Sequence, residues 1–293
     1  MKVALCIDSF EQAKEIIEDK EKTIEVSLID REICEDPVNR YLQVIPYVTF
    51  FAVNQDTGKL VFIQYQRKGK VEEGSEERLA GMTSIGFGGH IDTASDIVSS
   101  EVIHKEDGTV AYAMNISDMA QTCFNCAERE IKEEIGIDLA DFDIDFNKAN
   151  TAFFVGDQAD EVNQVHLGFS IQVQLPFERF EEFKDKCIFN PEEIEKLDVL
   201  GVNMDAILEQ LDLTYTIDQI TKQLKEQNSL EDWSLRIFTY VLRTLCNSLL
   251  GKISYQDLLH IARARIAQEE ASKAAIAQEE APKAASQQET LPW

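Results

Sequence analysis

Two apolar rhythms alternate along the chain. Val3-Ala4-Leu5-Cys6-Ile7 and Ile24-Glu25-Val26-Ser27-Leu28-Ile29 read as strands, and Ser9 stands where it would cap a helix running to Glu18 with Phe10, Ala13, Ile16 and Ile17 on its apolar stripe. Tyr47-Val48-Thr49-Phe50-Phe51-Ala52-Val53 and Leu60-Val61-Phe62-Ile63-Gln64-Tyr65 are β-rich runs joined by the turn-forming stretch 54–59. Thr83-Ser84-Ile85 leads into Gly86-Phe87-Gly88-Gly89, where glycine lets the backbone approach a ligand closely. Residues 101–104 and 109–114 flank an Asp107-Gly108 turn and predict a hairpin. Thr151–Val155 and Val165–Leu175 read as strands around the acidic loop 156–161. From Phe177 the pattern turns helical: Phe180 and Phe183 share a face, Asn190-Pro191-Glu192-Glu193-Ile194 reads as a helix start, and Trp233–Cys246 is apolar on most sides.

One helix carries the chemistry. In Arg129-Glu130-Ile131-Lys132-Glu133-Glu134-Ile135-Gly136-Ile137, Glu130, Glu133 and Glu134 fall at i, i+3 and i+4 and project from one face. Phe124, Ala127, Ile131 and Ile135 form the opposite, buried face, and Gly136 is placed to end the helix. Three carboxylates held together repel one another, which a hard cation such as Mg²⁺ or Mn²⁺ relieves through its preference for oxygen ligands. Taken alone, such a string reads first as a solvated helix face with favourable i,i+4 pairs.

The string R-E-I-K-E-E-I-G-I, with Gly88-Gly89 upstream after a strand-like run, resembles the Nudix box of hydrolases that cleave a diphosphate linked to another group. Further segments, including Arg40–Val48, Gln64–Lys68, Ser84–Ile91, Glu161-Val162 and Val165–Gly168, resemble a MutT-type branch of predicted phosphoesterases over residues 36–175. The resemblance implies an α/β/α sandwich with a mixed sheet and metal-assisted hydrolysis of a phosphoanhydride in a nucleoside diphosphate-linked or related small molecule. It implies metal ligation by Gly88 (through its carbonyl), Glu130, Glu133 and Glu134, and a role for Arg129 in orienting a carboxylate. Glu161 is the candidate acid or base outside the box; Arg67 and His90 are candidates for substrate phosphate, with a solvated strand end as the alternative for Arg67.

The chain departs from the pattern between these parts. Thirty-nine residues separate Gly89 from Arg129, far more than the compact signature holds, and the signature's additional glutamate is replaced by Gln121, counting back from Arg129. Asp92 or Asp118 could take its place, and Ser117 or Asp118 is the expected helix cap. The insert 92–117, tethered at both ends to box elements, is expected to bear on substrate choice or association, with a tolerated surface hairpin as the alternative. The missing acid also leaves a non-catalytic nucleotide-binding or regulatory module as the alternative function. Cys123 and Cys126 lack the second ligand pair of a zinc site and read as small buried hydrophobes.

Composition then sets limits. With 293 residues and 44% apolar content the chain can bury a large core, divided here into an N-terminal β-α-β-like addition (1–35), a Nudix-like domain (36–176), a helical extension (177–262) and a low-complexity tail (263–293). The tail repeats Ile266–Ala275 almost verbatim as Ile276–Ala285 and is expected to be disordered. A net charge of −26 disfavours duplex nucleic acid and anionic membranes, which need a basic surface, but not a small nucleotide entering with metal ions. Six scattered cysteines and the absence of a long apolar run point to a soluble, cytoplasmic protein; self-association is left open.

Overall fold

The computed structural model describes residues 2–39, 41–69, 79–155, 163–208, 213–228 and 230–250. Among them ten strands form one mixed sheet: β1 (Val3–Ile7), β2 (Ile24–Asp30), β3 (Leu42–Asn54), β4 (Lys59–Arg67), β5 (Thr83–Ser84), β6 (Glu101–His104), β7 (Val110–Met114), β8 (Asn150–Val155), β9 (His166–Gln174) and β10 (Ile194–Asn203). The helices are α1 (Phe10–Glu18), α2 (Arg31–Cys34), α3 (Ile116–Ile135), α4 (Phe177–Lys186), α5 (Met204–Leu208), α6 (Leu213–Asn228) and α7 (Asp232–Leu250).

Strand β3 organises the sheet. One of its edges pairs in parallel with β9 from Gln43 to Phe51. Its other edge is shared: β1 pairs at Leu42 and Gln43, and β4 pairs from Phe51 to Asn54. Between these two neighbours the edge is free for the glycine segment, where Phe87 exchanges backbone hydrogen bonds with Val48 (2.7 and 2.9 Å). The sheet is thus split at the place where the box glycines enter it.

Alternation along β3 sends side chains to two cores. Val44, Val48, Phe50 and Ala52 pack with Ile16 of α1, Ile131 and Ile135 of α3, and Phe180 and Phe183 of α4. Phe51 belongs to the opposite face, where Leu60, Phe62 and Ile85 meet Met204 of α5, Leu224 of α6, and Leu235, Phe238 and Leu242 of α7. Helices therefore cover both faces, as an α/β/α sandwich requires.

Helix α3 begins earlier than expected. Asn115, rather than Ser117 or Asp118, is the N-cap: its side chain accepts from the backbone N–H groups of Ser117 (2.8 Å) and Asp118 (3.0 Å), while the Asp118 carboxylate accepts from Asn115 N–H (3.1 Å). Asp118 is thus committed to this reciprocal cap. Gly136, at φ 66°, ends the helix in the left-handed conformation its position predicted.

The first 35 residues add β1 and β2 to the sheet, where β1 joins β3 and β2 joins β7, and α1 packs on the core through Ile16, so they bridge the core to the insert. The expected hairpin forms as β6 with β7 and extends the same sheet. The extension after Phe177 is not wholly helical, because Ile194–Asn203 is a strand paired along β4. The acidic loop with Glu161 and the tail 263–293 lie outside the described residues.

Candidate active site

The split in the sheet imposes glycine. At Gly88 φ is +146°, and a Cβ would lie 2.1 Å from the Pro46 carbonyl oxygen, a backbone atom that cannot yield. A Cβ on Gly89 would lie 2.9 Å from the Glu130 carboxyl carbon, so bare backbone there abuts the first box carboxylate. The Tyr65 hydroxyl steadies the segment by donating to the Gly86 carbonyl (3.1 Å).

The three box glutamates occupy graded environments. Glu134 is buried, 6% exposed, accepts from the Gly88 backbone N–H, and leaves Oε2 with no hydrogen-bond partner. Burial first, and then the neighbouring Glu130, pushes its carboxyl well above the usual range; Arg67 acts in the opposite sense. Glu130 is mostly buried, and burial raises it to about 7 against the pull of Arg129. Glu133 is on the solvent side. Among the described residues, no three acidic, histidine or cysteine side chains are arranged so that together they could hold a metal ion.

Arg129 ties the group together. Its Nη1 donates to Glu130 (2.8 Å) and Glu133 (3.1 Å), its Nε to Asp96 (3.1 Å), and its Nη2 to Asp92 (3.3 Å) and the His90 carbonyl (3.4 Å). Asp92, offered by the sequence as a replacement acid, is an exposed member of this set. Asp96 is the buried member, and nothing in the sequence pairs it with an arginine thirty-three positions away.

Arg67, at the end of β4, forms an ion pair with Glu231, which is 2% exposed and directly precedes α7. It also lies 5.6 Å over the Tyr65 ring. This partner answers the charge that the sequence offered to substrate phosphate. Residues around it seat the start of α7: Glu231 N–H donates to the Thr83 carbonyl (3.0 Å), and Ser234 Oγ accepts from Ile85 N–H (3.0 Å). Trp233 lies against Gly168, where a Cβ would come within 2.6 Å of its ring, and stacks on Tyr47 at 5.8 Å. Glu231 was not legible as a site neighbour because it follows the box by about a hundred residues.

The His90 ring lies 6.3 Å from that of His166, and burial first, then the charge of Arg31, with His166 and Lys2 in the same sense, lowers its pKa to about 3. It is therefore a neutral imidazole, and its buried Nε2 has no partner. Cys123 and Cys126 are buried in α3, where burial pushes both thiols up.

Among solved structures the chain is similar to Tm1382, a candidate Nudix hydrolase, with 15% identity, coverage of 83% of this chain and 100% of that one, and a TM-score of 0.42. It is also similar to a MutT/nudix family protein from Enterococcus faecalis (12% identity, 55% of this chain, 44% of that chain, TM-score 0.31). A third is a mutT/nudix family protein from Listeria innocua (14% identity, 62% and 95%, TM-score 0.31). All three are Nudix structures by name. The Nudix likeness is distant, and at TM-scores under 0.5 it bears on neither activity nor substrate. No protein-family model and no curated protein matches the sequence.

Proposed function

We propose that the chain is a Nudix-type hydrolase that cleaves a phosphoanhydride in a nucleoside diphosphate-linked or related small molecule, using Mg²⁺ or Mn²⁺. The observation that carries this reading is the placement of Glu130 and Glu134, one helical turn apart, against the Gly88-Gly89 backbone in the split of the sheet.

The donor types suit a hard divalent cation. A buried carboxylate with an unused oxygen at Glu134, a second raised carboxylate at Glu130 and hard oxygen donors throughout are a costly arrangement without a compensating positive charge. Gly88 through its carbonyl, Glu130, Glu133 and Glu134 would hold the ion. When bound, it supplies a lowered water pKa and offsets charge on the phosphates. The chain's own residues do the rest. Arg129 bridges Glu130 and Glu133 and orients them, and the glycine backbone lies directly beside Glu130. Glu161 remains the candidate proton acceptor, and Arg67 serves as an anchor for α7 through Glu231.

The non-catalytic alternative draws on one observation: Gln121, at the position of the signature's further glutamate, donates to Asn125 (3.0 Å) instead of offering a carboxylate. A screen of nucleoside diphosphate derivatives with Mg²⁺ and Mn²⁺ separates the readings. Hydrolysis should occur, disappear in EDTA, and fall roughly a hundredfold or more in kcat for Glu134→Gln with the fold retained. Tight ligand retention without product would favour the binding module, and full activity in EDTA would refute the metal.

A further inference from the structure

We propose that Asp96, supplied by the insert, is a positioning residue that fixes Arg129 so that its guanidinium holds Glu130 beside Gly89. Its consequence for turnover rests on the hydrolase reading above; the positioning itself does not.

The observations run along one face of α3. Asp96 is 5% exposed, and its Oδ2 accepts from Arg129 Nε. Its segment is strapped to the helix at two further points. Asn125 Nδ2 donates to the Asp96 carbonyl (3.0 Å), and Thr122 Oγ1 accepts from Val98 N–H (2.9 Å). Gln121 supports Asn125 from the preceding turn, so the amide that replaces the signature's glutamate steadies the stem that delivers Asp96.

A planar guanidinium has its donors in a fixed fork, and here all three nitrogens are committed. Asp96 fixes the Nε edge, which sets where Nη1 meets Glu130. Asp92 cannot substitute, because its side chain is 55% exposed and meets only Nη2 at 3.3 Å. Without Asp96 the fork is free to turn toward solvent about the side-chain torsions, and Glu130 loses its fixed place against the glycine backbone. The start of the insert thus belongs to the apparatus around the box, while its hairpin belongs to the sheet.

The test uses the full chain, with Mn²⁺ as the probe and an arginine-side-chain NMR experiment that requires no activity. In the wild type the Arg129 Nε–H should give a slowly exchanging signal shifted from free arginine. In Asp96→Ala that signal should collapse to the solvent-exposed position, with Mn²⁺ affinity by electron paramagnetic resonance falling roughly ten- to a hundredfold. Asp96→Asn, which keeps the shape and an acceptor, should fall between and serves if the alanine variant does not fold. Thr122→Ala loosens the same stem without touching Arg129 and should cause a much smaller loss in both readings than Asp96→Ala.

An unchanged Arg129 signal in both Asp96 variants would overturn the proposal. So would an equal loss in Thr122→Ala, which would make Asp96 a strap and nothing more. If the wild type binds no Mn²⁺ at all, the hydrolase reading fails, and the Arg129 signal still decides the positioning role.

Discussion

Gly88 and Gly89 look alike in sequence yet meet opposite constraints. At Gly88 an added methyl meets backbone, whereas at Gly89 it meets the end of a side chain that can swing away. Gly89→Ala should therefore fold with a melting temperature close to wild type and still lose most Mn²⁺ binding and hydrolysis, because Glu130 must leave its place. Calorimetry beside a binding titration checks this, and unaltered Mn²⁺ binding would refute it. Glu130 also makes a pH statement. Its folded pKa of about 7 stands above the unfolded value of 4.5, so the folded state binds more protons between these limits. Stability should be greatest below about pH 4.5 for this group and decline as pH rises through 7, by about 3 kcal/mol. Glu134, raised by deeper burial, adds to the same trend. In EDTA, denaturation midpoints at pH 5.5 and 8 should differ, and Glu130→Gln should shrink the difference; an unaltered difference would show that the slope arises elsewhere.

Among the elements, α7 is the one that closes the wall behind the box. Its start inserts Glu231 under Arg67 and lays Trp233 on Gly168. Removing one partner of a buried ion pair leaves the other charge unanswered, so Glu231→Ala should lower stability by about 3 kcal/mol in chemical denaturation. Replacing both partners, as Arg67→Met with Glu231→Gln, should recover most of that loss, and two additive losses would refute the coupling. The elements legible in sequence were those decided locally: the Ser9 cap accepting from Gln12 N–H, the Asp107-Gly108 turn with Gly108 at φ 87°, and the helix end at Gly136. Strand β10 was not legible, because Asn190-Pro191 imitates a helix start and a register shift between Ile194 and Lys196 breaks the alternation that marks a strand. The box glutamates were legible as a cluster, but their grading from buried Glu134 to exposed Glu133 is set by tertiary packing. Asp96 and Glu231 were invisible as site neighbours for the same reason.

At the scale of the molecule, no helix among the described residues is long and apolar enough to cross a membrane. The sheet joins three stretches of chain that the sequence pattern separates: the opening residues, the box region and the strand after α4. That threading has a consequence for how the protein is made. When β1, β2 and β3 have left the ribosome they can pair with one another, but the outer edge of β2 has no neighbour until Val110–Met114 emerges. An uncovered edge is a template for pairing with another chain. During synthesis the nascent protein therefore carries an open edge that only its own insert can close, and a shortened insert would leave that edge exposed to aggregation in the finished molecule.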